Sequence, residues 1–228
     1  MPRLRVMFAK EGGGRFLSHL ELLKTWERVL RRAGIPVAFS EGFNPHPKVN
    51  FASALAVGVE SRGEYMDMDL REEMDPEEVK ERLRGALPAG LRLLRVTPVP
   101  GDAPALMSLL GAAAYRVEVP LKESLDEDSL SQALQTFRCL PAVPVTRDTK
   151  RGPKFLDILP GVYYLKGRLE QGRVVLDMKL QSGSEGNIRP EELVRGLAEQ
   201  LHLPLDHERM RVVRTALFVR DGNGLAPL

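Results

Sequence analysis

Cysteine is almost absent from this chain: Cys139 stands alone among 228 residues. A single thiol excludes an internal disulfide, and it rules out a thiolate zinc site or an iron–sulfur cluster held by this chain alone. Long apolar runs are missing too; none approaches the roughly 18 residues that a membrane span requires. The opening Met1-Pro2-Arg3-Leu4-Arg5 lacks the apolar core of a signal peptide. The expectation is a cytoplasmic protein with no membrane partner. The P-loop, the dinucleotide fingerprint and the nucleophile-elbow pattern do not occur, so nucleoside triphosphates, dinucleotide cofactors and hydrolase-type serine chemistry have no support. The histidines His19, His46, His202 and His207 show no HxxxH or HxH spacing, and no metal site is expected.

What is present is the composition of a globular protein, 43% hydrophobic and 28% charged. The net charge of +2 hides an uneven distribution. Residues 1–50 are rich in Arg and Lys, including Arg15, Lys24, Arg28, Arg31 and Lys48, whereas residues 60–81 are rich in Asp and Glu. A basic surface beside an acidic one can bind an anionic ligand or an RNA backbone on one side, and it can equally be two solvated faces.

The order of elements is legible. Leu4, Val6 and Phe8 alternate with Arg5 and Met7 as a half-buried strand does. Gly12-Gly13-Gly14 breaks it, and Ser18 with Glu21 forms a capping box for a helix ending at Gly34. That helix places Leu20, Leu23, Leu30 and Ala33 on one stripe, with Trp26 close by and Lys24, Arg28 and Arg31 on a different face. Ile35–Phe39, Phe51–Val59 and the alternating stretch from Tyr65 read as strands. Asp75-Pro76 starts a second helix, and Leu91–Val96 is a further strand. Pro98, Pro100, Gly101 and Pro104 mark a boundary. Past it the order recurs: a strand at Tyr115–Leu121, a helix at Asp126–Phe137, extended segments through Leu180, a helix at Pro190–Leu201 and a strand at Met210–Val219. No letter-by-letter repeat is visible. The prediction is α+β, tandem ferredoxin-like (βαββαβ) domains with antiparallel sheets: residues 1–100, a linker at 101–113, and residues 114–228. Such a plan puts both helices on one face of the sheet and leaves the other to a partner.

The segment Ser40-Glu41-Gly42-Phe43-Asn44-Pro45-His46-Pro47-Lys48 stands out. Its prolines fix φ near −65° and push Asn44 and His46 toward extended geometry, so the loop is stiff. It presents Phe43, Asn44, His46 and Lys48. If it folds back toward the capped helix, Arg15, His19, His46 and Lys48 converge on an anion. Phe43 is the candidate for stacking an unpaired base, while Phe16 and Phe51 read more simply as a helix staple and a core residue. For His19 the plainer reading is a helix-terminal residue bound to a neighbouring loop, and for His46 a residue that stiffens its loop. The Gly12–Gly14 run reads as a flexible turn before it reads as a phosphate cradle. Arg147, Lys150, Arg151 and Lys154 suggest a basic hairpin or a solvated turn.

Ser18-His19-Leu20-Glu21-Leu22, Arg31-Arg32-Ala33-Gly34-Ile35-Pro36, the 40–48 run, and Gly58-Val59-Glu60-Ser61 with Glu64-Tyr65 together resemble the radical SAM-linked protein family. The match is dense over residues 3–70 and thinner beyond Tyr115. This is a bacterial family of domains of unknown function, fused to or encoded beside radical SAM proteins. The resemblance implies a radical SAM protein as partner and a connection to RNA metabolism; it carries over no catalytic residue. The chain lacks the three-cysteine cluster motif, so radical chemistry belongs to a separate protein and no cofactor is expected here. Two readings follow. One is an accessory, RNA-binding module in RNA modification or processing. The other is a metal-independent endoribonuclease resembling the CRISPR RNA-processing endonucleases in plan, with His19 or His46 as base and Arg15 or Lys48 as the stabilising cation.

Overall fold

The computed structural model describes residues 1–149, 152–222 and 224–228. Lys150 and Arg151 of the basic hairpin lie outside the described residues. In chain order the first elements are β1 (Arg3–Lys10), α1 (His19–Arg32), β2 (Val49–Phe51), β3 (Glu60–Asp69), α2 (Pro76–Ala86), β4 (Leu91–Val99) and the short α3 (Leu106–Leu109). A second series follows: β5 (Leu110–Pro120), α4 (Glu127–Arg138), the hairpin of β6 (Pro144–Thr149) and β7 (Gly152–Asp157), β8 (Val162–Glu170), β9 (Arg173–Gln181), α5 (Pro190–Leu201) and β10 (Arg211–Arg220). The last strand is β11 (Leu225–Pro227). The fold is thus α+β with the βαββαβ order used twice, β6 and β7 being an insertion in the second copy.

Two compact units divide the chain: Met1–Leu110 with Arg214–Leu228, and Gly111–Val213. The segment 214–228, which chain order alone groups with the second half, belongs by packing to the first unit. In that unit the sheet runs β4-β1-β3-β10, with β2 pairing along part of β3 and β11 on β10. In the second unit β9 lies between β5 and β8.

The strands form where the pattern requires. Leu4, Val6 and Phe8 are buried with Met66 and Met68 opposite them or nearby, and α1 and α2 cover this face through Trp26, Val29, Leu30, Val79 and Leu83. Both helix starts are built as read: Ser18 Oγ accepts from the Glu21 N–H while the Glu21 carboxylate accepts from the Ser18 N–H, and Asp75 caps α2 with Pro76 in its first turn.

Three local readings are corrected. The buried stripe of α1 is Leu22, Thr25, Trp26, Val29 and Leu30, and Leu20 faces solvent at 68% exposure. Glu27 is the reason: it would have to share the Leu20–Leu23 stripe, whereas the 22–26–29 stripe carries no charge. The strand expected at Phe51–Val59 is only Val49–Phe51; the chain then leaves the ladder after the Ala52 N–H to Tyr65 C=O bond. Ile35–Phe39 makes isolated bridges, Val37 to Leu70 and Phe39 to Pro47, and no strand.

Candidate nucleic-acid interface

The exposed face of α1 is basic because the helix period sets Lys24, Arg28 and Arg31 opposite its buried stripe. Beside this face runs a cleft of about 520 Å3, whose polar lining comes from Gly13, Gly14, Thr25, Arg28, Arg31 and Arg32. Its apolar wall is Leu17, Pro88 and Ala89. One side of the cleft is set by a backbone contact that only glycine allows. Gly90 has φ +90°, the Glu11 N–H donates to the Gly90 C=O at 2.9 Å, and a Cβ on Gly14 would come within 2.8 Å of the Gly90 carbonyl carbon.

Two guanidiniums of this cleft are held without being neutralised. Arg28 donates to Thr25 Oγ1 at 3.2 Å and Arg32 to the Ala86 C=O at 2.9 Å. Both bonds fix orientation and leave N–H groups over. Among the described residues none of Arg28, Arg31 and Arg32 is in an ion pair, and no carboxylate lines the cleft. Three positive charges without a counter-charge, two of them held in place, make a site for an anion, and Arg forks match phosphate oxygens in pairs.

The single convergent site expected from the sequence does not form. Arg15 donates to the Glu60 carboxylate at 3.4 Å, at the start of β3, and its guanidinium lies 4.7 Å above the Phe16 ring. Lys48 accepts from the Asp69 N–H at 3.0 Å, at the other end of that strand. Ten residues of strand separate these points by about 30 Å. Phe16 is exposed beneath Arg15 and makes no staple. His19 stands edge-on to Phe51, 5.4 Å between ring centres, at the end of an aromatic series that continues through Phe8 to Trp26. Phe51 is core. Neither His19 nor His46 lines the arginine cleft, so the base and cation that RNA cleavage requires are not supplied together there.

The 40–48 loop is a self-contained projection. Ser40 and His46 are tied twice, by the Ser40 N–H to the His46 C=O at 2.8 Å and the His46 N–H to Ser40 Oγ at 2.9 Å. The Lys48 N–H donates to the Ala38 C=O at 2.8 Å. Phe43, at the tip, is fully exposed, with Asn44 and His46 exposed beside it.

A second charged group escaped the sequence reading. Glu64, on the buried phase of β3, pairs bidentately with Arg214 of β10, and both side chains are only 3% exposed. Arg214 also donates to Ser53 Oγ at 2.9 Å. Lys10, 1% exposed, donates to the Leu17 C=O at 2.8 Å just before α1. Burial pushes its pKa down; the charge of Glu64 pulls it back up, and Arg214 adds to the lowering. This buried network anchors the segment leading into α1. The signal was there: Lys10 continues the phase of Leu4, Val6 and Phe8. Arg32, Thr25, Pro88 and Ala89 were also missed, since only the packing of α1 against the α2–β4 turn brings them together.

Residues 3–190 match the model of a family described as uncharacterized protein conserved in bacteria (DUF2344). The chain belongs to this family. No curated protein matches it in sequence. Solved structures that share its fold include three from Cbf5–Nop10 and H/ACA RNP complexes. One is from a Cbf5–Nop10–Gar1 complex, at 13% identity and TM-score 0.53, covering 95% of this chain and 50% of that one. Another is from the archaeal box H/ACA sRNP Nop10–Cbf5 complex, at 12% identity and TM-score 0.50 with the same coverages. A third is from an H/ACA RNP bound to a substrate RNA containing 2′-deoxyuridine, at 12% identity and TM-score 0.51, covering 95% and 49%. The DUF2344 chain therefore spans about half the length of the chains it resembles. Among the described residues no helix is long and apolar enough to cross a membrane, and no group of His, Cys, Asp or Glu is placed to hold a metal ion.

Proposed function

We propose that this DUF2344 chain is a non-catalytic, RNA-binding accessory module that presents RNA to a separate radical SAM protein. The observation that carries the reading is the arginine cleft along α1, three guanidiniums and no carboxylate. A backbone of phosphodiesters is the polyanion this arrangement suits. The fold agrees in kind, since a chain of like fold comes from an H/ACA RNP bound to substrate RNA. The radical SAM partner is supported by the family resemblance of the helix start and the 40–48 loop. That loop, with Phe43 exposed at its tip, is the surface we assign to the partner.

Binding of single-stranded RNA, followed by fluorescence anisotropy, tests the first part. Three phosphate contacts give a slope of log affinity on log salt near −2, so raising salt from about 50 to 200 mM weakens binding roughly 20-fold. Arg28→Glu with Arg31→Glu should abolish most of that slope. Binding that ignores salt, or ignores the two substitutions, refutes the reading. Co-purification with a co-expressed radical SAM protein tests the second part; its loss in Phe43→Ala is expected, and persistent failure of the unaltered chain to co-purify overturns the partnership.

A further inference from the structure

The shape and charge of the arginine cleft point beyond general backbone binding. We propose that it is a pocket for one nucleotide carrying a terminal phosphomonoester, and thus reads the phosphorylated end of an RNA strand; this rests on the RNA-binding reading above.

Three features argue for an end and against an internal position. The first is charge. Arg28, Arg31 and Arg32 bring three positive charges to one cleft with no acidic residue in its lining. An internal phosphodiester carries one negative charge, whereas a terminal phosphomonoester carries about −1.5 to −2 at pH 7 and offers three strong acceptor oxygens. Three forks are matched by the second and left in excess by the first.

The second is size. A cleft of about 520 Å3 falls within the roughly 300–1,000 Å3 range of small-molecule sites, room for a nucleoside with its phosphate. A groove that only tracks a backbone needs no such volume.

The third is the mixed lining. Leu17, Pro88 and Ala89 add apolar surface to the same cleft as the guanidiniums. Base or ribose against these residues, with phosphate on the arginines, fills the cleft with one ligand. Arg28 and Arg32 are already oriented by Thr25 Oγ1 and the Ala86 C=O, so little side-chain freedom is left to lose on binding.

The test uses the whole chain and four ligands in buffer of physiological ionic strength: a ten-nucleotide RNA with a 5′-phosphate, the same RNA with a 3′-phosphate, the same RNA with hydroxyls at both ends, and adenosine monophosphate. One phosphorylated RNA should bind about tenfold or more tightly than the hydroxyl form, the yield of added charge-assisted hydrogen bonds. Arg31→Gln should weaken both forms, and the phosphorylated form about tenfold more, so that the preference is lost. Arg31→Lys should restore only part of it, since the charge returns without the fork. Arg31 is exposed on α1, and an unchanged melting temperature shows that these variants are folded. Equal affinity for all three RNAs overturns the terminal-phosphate proposal; if that shared binding is salt-dependent, the RNA-binding reading survives without it. Adenosine monophosphate binding as tightly as the phosphorylated RNA, with the hydroxyl form unbound, upholds the pocket, makes its ligand a free nucleotide and sinks the RNA reading.

Discussion

Removing one charge from the Glu64–Arg214 pair tests how the first unit is held together. Glu64→Gln keeps the size and one acceptor but leaves Arg214, 3% exposed, facing a neutral amide. Ser53 Oγ remains as a partner, yet a hydroxyl does not compensate a buried guanidinium. Lys10 feels the change as well, because the charge of Glu64 offsets part of the burial that pushes the lysine pKa down. One substitution therefore removes a buried negative charge that acts on both cations. Breaking a buried pair from one side costs about 3–5 kcal/mol. For a chain of this length each kcal/mol lowers the melting temperature by roughly 2–4 °C, so a fall of about 6–20 °C is expected. Circular dichroism melts of Glu64→Gln against the unaltered chain measure it. Glu64→Leu combined with Arg214→Met should recover much of the loss, because the desolvation penalty of both ions disappears with them. A fall under about 2 °C in Glu64→Gln would refute the reasoning, and so would a double variant worse than the single one.

Three further outcomes follow from the geometry. In the second unit burial alone would raise the pKa of Glu192, but hydrogen bonds from Arg147 at 2.6 and 2.7 Å and from the Arg189 N–H at 2.9 Å outweigh it and leave the net value below 4.5. A depressed folded pKa makes this contribution full above 4.5 and progressively lost as pH falls through the folded value; melts between about pH 6 and 3 should steepen accordingly, and Glu192→Gln should flatten that dependence. Gly14→Ala should lower the melting temperature by several degrees, because its methyl group must displace the Gly90 backbone. A neutral result would show that the turn carrying the arginine cleft yields easily. Phe43→Ala, at a fully exposed tip, should leave stability within about 0.5 kcal/mol, so any loss of partner capture reports on docking and not on unfolding.

The sequence made the element order plain wherever a local signal decides it. The alternation of Leu4, Val6 and Phe8, the Ser18–Glu21 box and the Asp75-Pro76 start depend on neighbours within a few positions. The phase of α1 was harder, since Leu20, Leu22 and Leu23 supply two candidate stripes and only Glu27 separates them. β2 was misplaced because a three-residue edge strand has too few alternations to register, and tertiary pairing with Met66–Met68 sets its limits. The candidate site divided along the same line. Lys24, Arg28 and Arg31 share a face by helix period alone, and the structure keeps them there. The meeting of Arg15 with Lys48 required knowing which end of β3 each approaches, and no local pattern encodes that. Glu64 and Arg214 lie 150 positions apart; the sequence marks each as a charge on a buried phase and cannot name its partner.

The two βαββαβ copies share more than order. In the first unit Arg5 of β1 sits directly opposite Asp67 of β3 and donates to it at 2.7 and 2.9 Å. In the second, Arg116 of β5 sits directly opposite Asp177 of β9 and donates at 2.9 Å. First and third strands of each copy thus carry the same cross-strand pair, each flanked by buried neighbours: Leu4 and Val6 beside Arg5, Tyr115 and Val117 beside Arg116. A slip of one residue would carry either arginine to the covered face and break its pair. Opposite charges facing each other across the central strands therefore hold register in both copies, where aliphatic residues alone would tolerate a slide. This residue-level correspondence was invisible to a search for repeated letters because the pair is defined by opposition in a sheet, not by adjacency in the chain.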